Sequence, residues 1–94
     1  MVHLVTYDLK SPYDTAEDYQ RVIDALKAAY PNWCHLEKSV WIVATPESAT
    51  DVRDNLKAFL NQTDILFVGR LQGNWGSYNL GSKRSEWLKK HFSF

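Results

Sequence analysis

One cysteine in 94 residues, Cys34, rules out an intramolecular disulfide, so the fold needs no oxidising compartment. No apolar run approaches the ~20 residues of a membrane helix. The first residues, Val2 to Tyr7, form a short apolar stretch with no basic region and no cleavage site, unlike a signal peptide. A cytoplasmic protein is the expectation. Basic residues are not in excess either: 11 lysines and arginines balance 11 aspartates and glutamates. That balance argues against a chain built mainly to grip a long nucleic acid. Repeats, linkers and low-complexity stretches are also lacking, and the length suits one domain, 1–94.

Aromatics are present in surplus. Four Trp, five Tyr and four Phe exceed what a small core needs, which points some of them to an interface or a binding surface. Charge is unevenly spread. Asp8, Asp14, Glu17, Asp18 and Asp24 face only Lys10 and Arg21, whereas Lys83, Arg84, Lys89 and Lys90 near the end face only Glu86. An acidic front and a basic tail can attract one another between subunits.

Periodicity predicts the elements. Val2 to Tyr7 is rich in β-branched and aromatic residues and reads as a central strand with Asp8 at its end. Pro12 breaks the following loop. Tyr19, Val22, Ile23, Leu26 and Tyr30 then fall on one helical stripe, so a helix is expected over 15–30, capped by Asp14 or Thr15 and stopped by Pro31-Asn32. Strands follow at 33–37 and 40–45, with a tight turn or bulge between them. Ser48 caps a second helix whose apolar face is Val52, Leu56, Phe59 and Leu60. A fourth strand covers 65–71. The segment 72–81, with three Gly and two Asn, reads as an edge strand or a loop, and 82–92 as a short basic helix capped by Ser82 or Ser85 and anchored by Trp87, Leu88 and Phe92.

Strand, helix, strand, strand, helix, strand is the order of a ferredoxin-like βαββαβ domain. It is an α/β (α+β) class with a four-stranded antiparallel sheet and both helices on one face. The core is expected at 2–71 and a C-terminal extension at 72–94. The second face of the sheet must be polar, or be covered by the tail or by a partner.

Leu4-Val5-Thr6-Tyr7-Asp8-Leu9 resembles the first strand of CRISPR-associated protein 2, which ends in Tyr-Asp before an amphipathic helix. His35-Leu36-Glu37-Lys38-Ser39-Val40-Trp41 is similar to that family's strand followed by Ser-Val-aromatic, and Thr63-Asp64-Ile65-Leu66-Phe67-Val68 to its fourth strand. The chain also looks like the related SinR-like proteins, and by fold like virulence-associated protein D, a ribonuclease. The resemblance implies a homodimer with sheets facing one another and Asp8 meeting its twin near the axis. Two carboxylates there would hold Mg²⁺ and activate water for phosphodiester cleavage. The chain departs from the family where basic residues usually follow the acid: Tyr13, Asp14, Glu17 and Asp18 stand there instead.

Other side chains carry weaker signals. Tyr7, Tyr13, Arg70, Trp75 and Tyr78 suit a non-catalytic dimer cleft that captures a small nucleotide or signalling molecule, and Lys83 and Arg84 suit phosphate. A protein-interaction adaptor whose aromatics bury against a partner is the third expectation. His3, His35 and His91 share no metal-like spacing, Cys34 reads as a small buried hydrophobe, and Ser39 shapes a bend, with no base marked to activate it.

Overall fold

The structure is a computed structural model, and residues 1–92 are described. Strand β1 (Val2–Asp8) is followed by helix α1 (Ala16–Ala29), strands β2 (Trp33–Glu37) and β3 (Val40–Ala44), helix α2 (Ala49–Lys57), strand β4 (Ile65–Leu71) and helix α3 (Ser82–His91). The sheet order is β2-β3-β1-β4 and every pairing is antiparallel, which is the ferredoxin-like arrangement expected from the element order. Register runs from Val2↔Ala44 to Thr6↔Val40 on one side of β1 and from Val2↔Leu71 to Asp8↔Ile65 on the other. Between His35 and Glu37 the β2–β3 register shifts, a bulge in front of the turn at Lys38-Ser39.

Alternation along the strands sorts side chains between two cores. Val5 and Tyr7 of β1, Trp41 and Val43 of β3, and Val22, Leu26, Tyr30, Val52 and Leu56 from the helix side are all buried in one cluster. Its indole and phenol groups are paired, beginning with the Trp41 indole N–H, which donates to the Tyr7 hydroxyl at 3.1 Å, whereas Nδ1 of the buried His3 on the same side of the sheet has no hydrogen-bond partner among the described residues. Burial pushes the Tyr7 pKa up, and the hydrogen bond from Trp41 opposes that. Tyr30, at the end of α1, donates to Glu47 Oε1 at 2.9 Å, and the Asn55 amide donates to both. His3 is fully buried, and its Nε2–H meets the Glu47 carbonyl at 2.7 Å. These contacts tie β1, α1 and α2 to the loop that leads into α2.

Caps explain where the helices begin. The Thr15 hydroxyl accepts from the Asp18 amide while the Asp18 carboxylate accepts from the Thr15 amide, a complete capping box. Ser48 accepts from the Asp51 amide at 3.1 Å in α2. Two details differ from expectation, and a third decides between two expected alternatives. α2 ends at Lys57, so Phe59 leaves the helical stripe and stands 41% exposed. α3 starts from Gly81, at φ 89°, with no side-chain cap from Ser82 or Ser85; glycine takes this left-handed φ without strain. The segment 72–81 joins no strand of the sheet, which makes it a loop within the described residues.

That loop and α3 cover part of the second sheet face. Leu88 is buried there with Val2, Cys34 and Ile42, and Leu4, Leu36, Ala44, Leu71, Trp75, Leu80, Trp87 and Phe92 pack around them. Two bonds hold the cover in place: the Trp75 indole N–H to the Phe92 carbonyl at 2.7 Å, and Arg84 to the Leu36 carbonyl at 2.9 Å. No helix among the described residues is long and apolar enough to cross a membrane.

Two measurements check this packing. Leu26→Ala empties a fully buried position in α1 and is expected to cost about 2–5 kcal/mol, read from the denaturation midpoint, whereas Tyr78→Ala on the exposed loop should change stability by less than about 0.5 kcal/mol. Hydrogen bonds from Thr15 hold the Asp18 carboxyl below its ordinary value of 3.8, so its contribution is present above that value and is lost as pH falls through the lowered folded pKa. The difference in Tm between wild type and Asp18→Asn is therefore expected to persist at neutral pH and vanish at the acid end.

Candidate functional site

Asp8 lies at the last position of β1. Successive strand side chains alternate, so Asp8 shares a face with Val2, Leu4 and Thr6, the side of the sheet that the tail covers. The cover stops short of it. Ile65 and Phe67, opposite Asp8 and Thr6 on β4, are 55% and 57% exposed. The Phe67 ring lies along the strand over Gly69, where a Cβ would stand 2.9 Å from it. The uncovered end of this face therefore combines an apolar patch with a carboxylate. Adjacent exposed apolar side chains beside a charged group make this end of the face a candidate interaction surface.

Asp8 is not a free carboxylate. Lys10 Nζ sits 2.6 Å from its Oδ2, and both side chains are about half exposed. The hydrogen bond and charge of Asp8 raise the Lys10 pKa. Asp64, at the start of β4, then fixes the loop: one of its oxygens accepts from the Lys10 amide and the other from the Asn61 amide, both at 2.8 Å. Tyr13 donates its amide to the Lys10 carbonyl, which closes the turn, and its ring is half exposed beside the site. Lys10 and Asp64 were not singled out by sequence; the short spacing from Asp8 to Lys10 becomes a signal only once the strand is known to end at Asp8.

The other predicted residues are not brought together at one site with Asp8. Tyr7 is 3% exposed in the helix-side core, with its hydroxyl engaged by Trp41, and so is withdrawn from any ligand. Arg70 alternates with Leu71 and points to the helix side of the edge strand, while Trp75 packs on the opposite side. Trp75 is half-buried, with its N–H used by Phe92, and Tyr78 is exposed. Both line a cavity of about 450 Å³ between the loop and the sheet, whose only charged lining residue is Glu37. Such a wall does not suit an anion. Lys83 and Arg84 occupy the first turn of α3, away from Asp8, beside Trp33, His35 and Trp87. Cys34 is buried as expected, and burial pushes its thiol pKa up while the charge of Arg84 pulls against it.

No protein-family model matches this chain.

A divalent cation asks more of this site than one chain supplies. Among the described residues no three His, Cys, Asp or Glu side chains gather in one place. A single carboxylate already paired with a lysine does not hold Mg²⁺; a second carboxylate has to come from another copy.

The bonds from Asp64 yield a direct check. Asp64→Ala leaves the Lys10 and Asn61 amides without their acceptor and is expected to cost roughly 1–3 kcal/mol. Faster hydrogen exchange at the Lys10 amide in the variant would identify the loop beside Asp8 as the part that loosens.

Proposed function

We propose that this chain is a homodimer associated with nucleic acid, acting in the manner of the CRISPR-associated protein 2 family that its sequence resembles. In this reading Asp8 of each copy serves phosphodiester cleavage. The observation that carries it is the position of Asp8 at the edge of the uncovered apolar patch formed by Ile65 and Phe67. Two copies stacked through that patch about a twofold axis would bury both phenylalanines and draw the two Asp8 side chains toward one another.

Two carboxylates brought close cannot both stay ionised without a counter-charge. Lys10 supplies it in the single chain. In the dimer a hard cation such as Mg²⁺ fits the carboxylate donors, and when bound it lowers the pKa of water and polarises a phosphoryl oxygen. The residues of this chain then have distinct tasks. Asp8 contributes the acceptor oxygens. Lys10 holds Asp8 in position and must swing aside, or contact phosphate, for a cation to enter. Asp64 keeps the backbone of that loop in place.

One observation favours a non-catalytic adaptor as the second reading. The start of α1 next to this loop is acidic, with Glu17 and Asp18 in its first turn, and that charge repels a phosphate backbone. In that case the dimer itself is the working form, and Lys10 neutralises Asp8 permanently.

Light scattering tests the shared premise: a mass twice the 10.9 kDa of one chain is expected, falling to the single-chain value in Phe67→Glu. Incubation of RNA and DNA with Mg²⁺ or Mn²⁺ then separates the readings. Cleavage that drops to background in Asp8→Ala supports catalysis, whereas a stable dimer that cuts nothing, or cuts equally well without Asp8, leaves the adaptor. A monomer in solution would overturn both.

A further inference from the structure

We propose that a second site, in the recess between the outer strand β2 and α3, binds a nucleotide through its base and its phosphate. The recess measures about 250 Å³ and is lined by Trp33, Cys34 and His35 of the strand and by Lys83, Arg84 and Trp87 of the helix. Every formally charged side chain on it is cationic, and no carboxylate lines it. That sets it apart from three other cavities among the described residues. The groove along α1 carries Glu17 and Asp24, the cleft beside α2 carries Asp64, and the space under the 72–81 loop carries Glu37. In a chain of zero net charge, this is where a small anion finds a locally positive wall.

The α3 wall suits a planar group. Trp87 is half-buried, and its ring lies 4.5 Å from the His91 ring, which holds it in place. Trp33 and His35 border the recess from the edge of β2 while their rings pack against Trp41 on the helix side of the sheet, Trp33 edge-on at 5.3 Å and His35 stacked at 3.8 Å. A ring already fixed in place, as Trp87 is, stacks a base at little entropic cost. The cations stand ready as well. Arg84 donates one N–H to the Leu36 carbonyl, which holds the guanidinium at the recess and leaves its other donors for an anion. Lys83 is exposed and has no hydrogen-bond or ion-pair partner among the described residues. The buried Cys34, with its raised thiol pKa, adds an unreactive apolar element. The volume accommodates one base with its sugar and phosphate at the rim, and excludes a duplex.

The chemistry recognised is a base carrying a phosphate. A free nucleoside monophosphate and the phosphorylated end of a single strand both present it. The proposal stands on this recess alone and does not depend on Asp8.

Quenching of tryptophan fluorescence by AMP at low salt tests it in the full chain. AMP is expected to bind, with adenosine roughly tenfold weaker or worse, as befits loss of a charge-assisted contact. Lys83→Glu, at an exposed position, should weaken AMP by at least about tenfold without lowering Tm. Trp87→Leu, which keeps apolar volume against the sheet, should weaken AMP and adenosine alike. Tighter binding of a 5′-phosphorylated trinucleotide than of AMP would assign the site to strand ends, and equal or weaker binding to the free nucleotide. AMP bound no better than adenosine, or unaffected by Lys83→Glu, would overturn the proposal. Asp8→Ala should bind AMP like the wild type, so failure here and failure of the cleavage reading are told apart.

Discussion

β1 carries side chains that must leave water on both faces of the sheet. Val5 and Tyr7 go to the helix side, and Val2 and Leu4 to the other. A strand of this kind requires two covers, and the architecture supplies them unequally. Two helices with caps and apolar stripes bury Val5, Tyr7, Trp41 and Val43 on one side. On the other side a loop and one short helix reach only as far as the Val2 end of β1. The remainder of that face, with Ile65, Phe67 and Asp8, is what the cover does not reach. The fold and the candidate interface are thus two results of the same constraint.

This uneven coverage also divides the charged residues by task. Asp8, Lys10 and Asp64 gather where strand ends meet loops, and they satisfy one another through short polar contacts. Lys83 and Arg84 sit at the far side of the tail, in a recess that no carboxylate lines. Arg70 stands apart from both groups on the helix side of the edge strand. The chain has no single basic track. Among the described residues the charged side chains form separate clusters, which fits the balanced charge of the chain better than a long groove would.

Much of the architecture was legible in the sequence because period and punctuation agreed. The stripe Tyr19, Val22, Ile23, Leu26 and Tyr30, with a cap before it and Pro31 after it, leaves little freedom over α1. The buried Cys34 and the anchors Trp87 and Leu88 were equally readable from hydrophobicity. What was not legible depended on geometry that local pattern does not carry. Phe59 looked like a core residue because a helix three residues longer would have buried it; the chain turns first. Arg70 and Trp75 were grouped because a guanidinium and an indole together suit a nucleotide, yet they fall on opposite sides of the sheet. The recess beside α3 unites residues about fifty positions apart, so no window of sequence contains it. Gly81, in a left-handed conformation, begins α3 where Ser82 and Ser85 offered the more familiar signal.

The register of β1 has a consequence for how the chain comes into being. Both of its neighbours, β3 and β4, lie later in the sequence, and the pairing Val2↔Leu71 closes a loop that spans most of the chain. During synthesis, then, the central strand emerges before either partner: β3 becomes available after about half of these 94 residues, and the second edge of β1 stays open until β4, roughly three-quarters of the way along, has been made. Contacts of such long range form slowly and leave unpaired strand edges open to other chains. Growing chains of this protein are the form most exposed to wrong pairing, and the last strand to be made is the one that ends that exposure.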